Sequence, residues 1–324
     1  MQRIDLATAA SRLHEMSAVR ILAHQHPDGD TLGSAYALAR ALQSIGKHTC
    51  VDCVDPLPHD FTFCAKGYTP DYMDGTESIV TVDVADAKLL GRSYYEKYGG
   101  IVDLNIDHHS TNTGFARETY LEEDSAATAE LVADLIDLLC VVWTTDIAAC
   151  IYAGISTDTG CFRYAGTTSR SHRYAARMME FGVQTEPLDR MFFETKTRSF
   201  AALERLALEG FRFFCKGQVC LMVVTQEMYR KSGSNEDEFI RLVPQTRQIE
   251  GVLVGIAIRE RSDGSWKISL RTHLPIDASA ICAKLGGGGH AVAAGCESFK
   301  PLEETIADIV RYTGEALQAA GLPV

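Results

Sequence analysis

The 324-residue chain carries 43 acidic against 31 basic side chains, a formal charge of −12, and 46% hydrophobic residues. That is the composition of a globular protein with length for two domains, and it argues against a general coat for long polyanions, which needs an extended basic surface. No apolar run approaches the roughly 18–20 residues that span a bilayer, and the first thirty residues lack a basic stretch followed by an apolar one, so a cytoplasmic protein is expected.

In chain order, the spacing of apolar residues predicts a helix near 3–17, a strand at 19–23, a helix at 31–45, and strands near 49–54, 79–83 and 101–106. Alternation of this kind implies an α/β architecture, a doubly wound and mainly parallel sheet with helices on its faces. Helical spacing returns over 125–140, 144–156 and 169–181, completing a first domain over 1–187. Mixed charges and apolar residues at helical spacing then predict a helical connector over 188–210. Beyond Gly210, paired strands at 211–215 with 219–225 and 251–259 with 265–271 predict a smaller α+β domain over 211–324. The polar stretch Ser232 to Glu238 reads as a solvated loop or helix start. The ten cysteines are scattered and read as mostly buried thiols; Cys50 and Cys53 have redox or zinc spacing, but no second pair follows and both lie in a strand-like run.

Chemistry concentrates at the strand ends. Arg20-Ile21-Leu22-Ala23 leads into His24-Gln25-His26-Pro27-Asp28-Gly29-Asp30, placing a histidine and two carboxylates where a strand passes into a helix. The carboxylates would repel one another unless a cation sits between them, although Asp and Gly are also ordinary turn and capping residues. A second apolar strand ends in Asp83 and a third in Asp107-His108-His109. In an open parallel sheet the ligand crevice lies at the carboxyl ends of the strands, so these residues can converge. Capping alone explains three such endings poorly. Asp158, in the Gly-bounded loop Gly154 to Gly160, is a fourth candidate, with a turn residue as the plainer alternative.

Four carboxylates, Asp28, Asp30, Asp83 and Asp158, with neutral His24 and His108 balance the charge of two divalent cations. Mixed imidazole and carboxylate donors argue against structural zinc and against an all-oxygen calcium site; Mn²⁺ is the expected ion. In the second domain Gly286-Gly287-Gly288-Gly289-His290 is too costly in conformational entropy for a plain linker. Its backbone N–H groups could cradle an anion beside His290, with Arg271 at a strand end as the cationic partner or, more plainly, as an exposed arginine.

Taken in order, His24-x-x-Pro27-Asp28-x-Asp30 with Gly33-Ser34, Asp83, Asp107-His108-His109, the helix start Ser125 to Glu130 and Asp158-Thr159-Gly160 resemble the successive motifs of the DHH phosphoesterases. Ile268-Ser269-Leu270-Arg271 with Gly286 to His290 resembles the DHH-associated type 1 domain found in nanoRNases and 3′-phosphoadenosine-5′-phosphate phosphatases. The resemblance covers essentially the whole chain. It implies that His24, Asp28 and Asp83 hold one Mn²⁺ and that Asp30, Asp83, His108 and Asp158 hold a second, with Asp83 shared. Asp107 and His109 would be catalytic residues facing the phosphate, and Arg271, Gly286, Gly287, Gly288, Gly289 and His290 would grip the substrate, with the connector as a hinge. The implied activity is hydrolysis of short oligoribonucleotides to mononucleotides, together with 3′-phosphoadenosine-5′-phosphate. The acidic charge favours small nucleotides over long duplexes, no membrane partner is expected, and a homodimer stays open. Cyclic di-AMP or pApA hydrolysis is the alternative; pyrophosphate or polyphosphate hydrolysis and a non-catalytic nucleotide-binding regulator are further ones.

Overall fold

Val19-Arg20-Ile21-Leu22 and Ile79-Val80-Thr81-Val82 are mostly apolar without strict alternation, as befits strands covered on both faces. In the computed structural model, which describes residues 2–324, they are neighbouring inner strands of a six-stranded sheet. The chain divides into two units, with the boundary between Thr195 and Lys196.

The first unit begins with β1 (Gln2–Ile4), α1 (Leu6–Glu15), β2 (Ala18–Leu22), α2 (Gly29–Ser44), β3 (His48–Asp52) and the short α3 (Thr62–Ala65). It continues with β4 (Ser78–Val82), α4 (Arg92–Tyr98), β5 (Leu104–Asp107) and β6 (Glu118–Leu121), then with α5 (Thr128–Leu138), α6 (Thr145–Asp158), α7 (Ser169–Glu180) and α8 (Thr185–Asp189). Every pairing in the sheet is parallel, in the order β1-β6-β5-β4-β2-β3. From β2 the chain goes outward to β3 and then returns to the other side of β2 as β4. Such a reversal opens a crevice at the carboxyl ends of the adjacent strands β2 and β4, and His24 and Asp83 follow those two ends.

Two strands of the first unit fall outside the sequence expectation, as do the last two of the second unit, at Gly288–His290 and Ala293–Ser298. β1 and β6, three and four residues long, are too short to display a periodicity, and they pair with each other at the sheet edge. The helix expected from residue 3 starts at Leu6, because Asp5 is extended and its carboxylate accepts from the Thr8 N–H at 2.8 Å.

Helices α2 and α6 approach closely through glycine. A Cβ on Gly33 would stand 2.4 Å from the Cys150 carbonyl oxygen, and one on Gly154 would stand 2.6 Å from the Ala129 Cβ and 2.8 Å from Asp30 Oδ1. This approach puts the first turn of α2 against the last turns of α6, the two segments that carry Asp30 and Asp158. All ten cysteines are free thiols.

Over 188–210 helix comes in separate pieces. α8 passes into a π-helical turn at Arg190–Glu194, Thr195 is extended, and α9 (Arg198–Glu209) opens the second unit. That unit contains β7 (Arg212–Phe214), β8 (Val219–Val224), α10 (Gln226–Ser232), β9 (Val254–Glu260), β10 (Trp266–Thr272), α11 (Ala278–Ala283), β11 (Gly288–His290), β12 (Ala293–Ser298) and α12 (Leu302–Ala319). Its sheet runs β11-β12-β10-β9-β8-β7 and is antiparallel except for β8 beside β9. The buried faces of β8, β9 and β10, with Ile281, Ile306 and Ile309 from the helices, form its core. Among the described residues no helix is long and apolar enough to cross a membrane.

Helix propensity alone would make Gly33→Ala stabilising by about 1 kcal/mol. Overlap with the Cys150 carbonyl should reverse the sign, giving a net loss of about 1–3 kcal/mol. The urea midpoint reads the difference; an unchanged or raised midpoint would mean that α2 and α6 can part without penalty.

Candidate metal centre

His24 and Asp28 come from the loop between β2 and α2. Asp28 does cap the helix, its Oδ1 accepting from the N–H groups of Asp30 and Thr31 at 3.1 Å each, and it also lies 3.7 Å from His24 Nε2. Capping and convergence are therefore properties of the same residue. Asp83 follows β4 in a left-handed conformation, φ 60°, uncommon for a residue with a Cβ. Its N–H donates to the Ile106 carbonyl at 2.9 Å and its Oδ1 accepts from Thr128 Oγ1 at 3.0 Å, which holds the strained backbone in place. Asp158 is the final residue of α6 rather than part of a loop; the helix stops after it because Gly160, Cys161 and Phe162 are all left-handed.

These residues meet in one crevice. His24 Nε2 lies 3.8 Å from Asp83 Oδ2, while His108 Nε2 lies 3.6 Å from Asp83 Oδ1 and 3.5 Å from Asp158 Oδ2. Donor atoms of His24, Asp28 and Asp83 lie within 4.8 Å of one another, as do those of Asp30, His108 and Asp158, and those of Asp83, His108 and His109. Separations of 3.5–3.8 Å are too long for hydrogen bonds and short enough for two side chains to share one ion. The second nitrogen of each histidine is engaged by a carbonyl: His24 Nδ1–H donates to Gln25 at 2.8 Å and His108 Nδ1–H to Ser125 at 2.9 Å. Both rings thus present Nε2 to the carboxylates.

The electrostatics match a cation site. Burial, reinforced by the charges of Asp83 and Asp158, pushes the Asp30 carboxyl well above its ordinary range. Burial and the nearby Asp28 do the same to Asp83, and burial raises Asp158. Carboxylates held this way are disfavoured as anions unless positive charge stands among them. Divalent cations fit this donor set, and the mixture of imidazole and carboxylate suits a transition ion better than calcium.

Asp107 is fully buried and is not among the converging donors. It accepts from His109 Nδ1 at 2.7 Å and from Asn112 Nδ2 at 2.5 Å. In the metal-free protein the Asp107 hydrogen bond, with the charges of Asp83 and Asp158, raises the His109 imidazole to a pKa of about 9.

Sequence reasoning assigned no roles within Ser125 to Glu130, although the segment orients three donors. Asp30 accepts from the Thr128 and Ala129 N–H groups at 2.6 and 2.9 Å, Thr128 also holds Asp83, and the Ser125 carbonyl holds His108. The available signal was polar Thr128 and Glu130 inside an otherwise apolar stretch; both are wholly buried.

In the second unit, Arg271 on β10 pairs with Ala293 on β12, which pairs with His290 on β11. Directly paired residues point to the same sheet face, so Arg271 and His290 flank one small side chain. The glycine run is not a free loop, since Gly288 and Gly289 belong to β11. A Cβ on Gly287 would stand 2.2 Å from the Gly295 carbonyl oxygen and one on Gly289 2.7 Å from that of Ala293, so both have a packing reason. Gly286 and Gly288 face open space.

His109 titrates near 9 in the fold against an ordinary 6.5. In metal-free protein its contribution to stability is therefore complete below about pH 6.5 and is lost as pH rises through about 9. Asp107→Asn should remove most of that pH dependence. Urea midpoints in EDTA at pH 6, 7.5 and 9.5 read it; equal slopes for variant and wild type would contradict the Asp107–His109 coupling.

Residues 18–155 match the model of the DHH family, N-terminal domain, and residues 217–318 that of the DHHA1 domain. The chain is 36% identical over 310 residues to the bifunctional oligoribonuclease and PAP phosphatase NrnA of Thermus thermophilus, spanning 94% of this chain and 91% of that one. It shares its fold with an exopolyphosphatase-related protein of Bacteroides fragilis, TM-score 0.87 at 22% identity, covering 96% of this chain and 95% of the other. It is also similar to the exonuclease RecJ bound to manganese, TM-score 0.54 at 15% identity, covering 95% and 94%. With the crevice residues of the first unit lying inside or just beyond the first matched segment, and a relative aligned along nearly its whole length, the chain belongs to the DHH family.

Proposed function

We propose that the chain is a divalent-metal phosphoesterase that hydrolyses short oligoribonucleotides to mononucleotides and also acts on 3′-phosphoadenosine-5′-phosphate. The observation that carries the chemistry is the convergence of Asp28, Asp30, Asp83 and Asp158 with His24 and His108 at the carboxyl ends of a parallel sheet. The substrate class is supported by the likeness to the Thermus thermophilus relative, which bears both activities in its name.

In this reading His24, Asp28 and Asp83 would hold one Mn²⁺, and Asp30, Asp83, His108 and Asp158 would hold a second. Cations there supply activation of water near neutral pH and neutralisation of phosphate charge. The chain's own groups do the rest. Asp107 keeps His109 protonated and fixes its Nδ1–H, leaving Nε2–H to donate to a phosphate oxygen or to the departing alkoxide. Thr128 and the first N–H groups of α5 keep Asp30 and Asp83 in place, so the site needs no rearrangement when substrate charge arrives. Arg271 and His290, which flank Ala293 on one face of the second unit's sheet, are the residues we assign to substrate binding in that unit. A chain of net charge −12 is suited to substrates a few nucleotides long.

The test is product analysis with Mn²⁺-loaded protein on labelled RNA dimers to pentamers, 3′-phosphoadenosine-5′-phosphate, pApA and cyclic di-AMP. Mononucleotide release from the short RNAs is expected. EDTA should abolish it, and Asp83→Asn should lower it by about 10²–10³-fold. Near-normal turnover by Asp83→Asn with metal replete would remove Asp83 from the centre. Turnover of the cyclic or adenylyl dinucleotides alone would reassign the substrate.

A further inference from the structure

Arg170, at the start of α7, meets three carboxylates at once. Its Nη1 donates to Glu122 at 2.8 Å, its Nη2 to Asp134, and its Nε lies 3.5 Å from Glu130 Oε2. The first two anions have further partners, since Tyr120 donates to Glu122 and Tyr174 to Asp134. Glu130 differs. It is completely buried, its Oε2 accepts from Ser125 Oγ at 3.0 Å, and its Oε1 has no hydrogen-bond partner among the described residues.

A carboxylate with one oxygen unsatisfied in the interior is a poor way to tie two helices together, because its desolvation offsets what the ion pair contributes. The same two helices already have a better tie nearer the surface, where Arg177 of α7 grips Asp137 of α5 through both guanidinium nitrogens, at 2.5 and 2.6 Å. What Glu130 does hold is Ser125. From Ser125 to Ala129 the chain delivers its carbonyl to His108, a hydroxyl to Asp83 and two N–H groups to Asp30.

We infer that Arg170 and Glu130 are positioning residues for the metal centre: Arg170 fixes Glu130, Glu130 fixes Ser125, and the segment so held sets the aim of His108, Asp83 and Asp30. The inference rests on the proposed centre and goes beyond it by assigning a function to two residues that touch no converging donor. A fixed backbone matters here because a ligand displaced by a few tenths of an ångström no longer shares an ion with its neighbours, and loss of such supporting partners typically weakens metal binding about 10–100-fold.

The test is Mn²⁺ binding by calorimetry on EDTA-stripped full-length protein, without substrate, beside melting temperatures. Glu130→Gln and Arg170→Met should each raise the Mn²⁺ dissociation constant about 10–100-fold, and the double variant should be little worse than either alone. Arg170→Lys, which keeps the charge and loses the fork, should fall between, and it decides the matter if Glu130→Gln does not fold. Arg177→Met is the control for a purely structural tie between the same helices; it should lower the melting temperature and leave Mn²⁺ affinity within about twofold. If Arg170→Met and Arg170→Lys behave like Arg177→Met, the positioning role is wrong. Wild-type protein that binds no Mn²⁺ would overturn the relay and the centre together, whereas normal wild-type binding with unaltered variants would overturn the relay alone.

Discussion

The constraint on which the rest depends is the crowding of four carboxylates, two of them out of reach of water. Asp30 and Asp83 are buried, with Asp158 and Asp28 close by, and burial alone already disfavours their charged forms. A fold that keeps such a group together has to anchor each member separately. Asp83 is anchored by a left-handed backbone and by Thr128, Asp30 by the N-terminus of α5, and Asp158 by the close approach of α6 to α2 through Gly33 and Gly154. The helix N-terminus suits its task, because its unpaired N–H groups carry partial positive charge and are already pointed at the carboxylate.

Much of this was legible in the sequence because the informative transitions are local. An apolar strand that stops at His24, Asp83 or Asp107 announces both the strand and the chemistry at its end, and parallel topology brings successive ends to one side. What was not legible depends on partners far away in the chain. Thr128 hydrogen-bonds residues nearly fifty and a hundred positions earlier, and nothing in Ser125 to Glu130 indicates that its backbone is the part being used. Strands β1 and β6 were missed for another reason: three or four residues cannot show a period, and β1 runs directly into the apolar spacing of α1. Asp158 read as a loop residue because glycines bound its segment, yet the helix absorbs Gly154 for packing and ends only where three residues turn left-handed.

The glycine run teaches a similar lesson about single explanations. Conformational cost alone suggested that four glycines must serve a ligand. Two of them lie so close to strand β12 that a side chain would collide with its backbone, so part of the run is explained by sheet packing before any anion is considered. Gly286 is explained by its left-handed backbone, φ 74°, which leaves Gly288 as the position with neither a backbone nor a packing reason. The register adds what composition could not, placing Arg271 and His290 on one face with only Ala293 between them.

Charge connects the two halves of the proposed reading. A crevice of carboxylates repels phosphate as strongly as its members repel one another, so without cations the first unit would reject the substrate it is proposed to cleave. Two divalent ions cancel the four carboxylates and no more, which leaves the substrate's own negative charge to be met by other groups. His109, whose Nδ1–H is held by Asp107 beside the crevice, is a donor placed to meet it. A longer strand would bring added negative charge to a chain whose net charge is already −12, and each further phosphate would need its own cation.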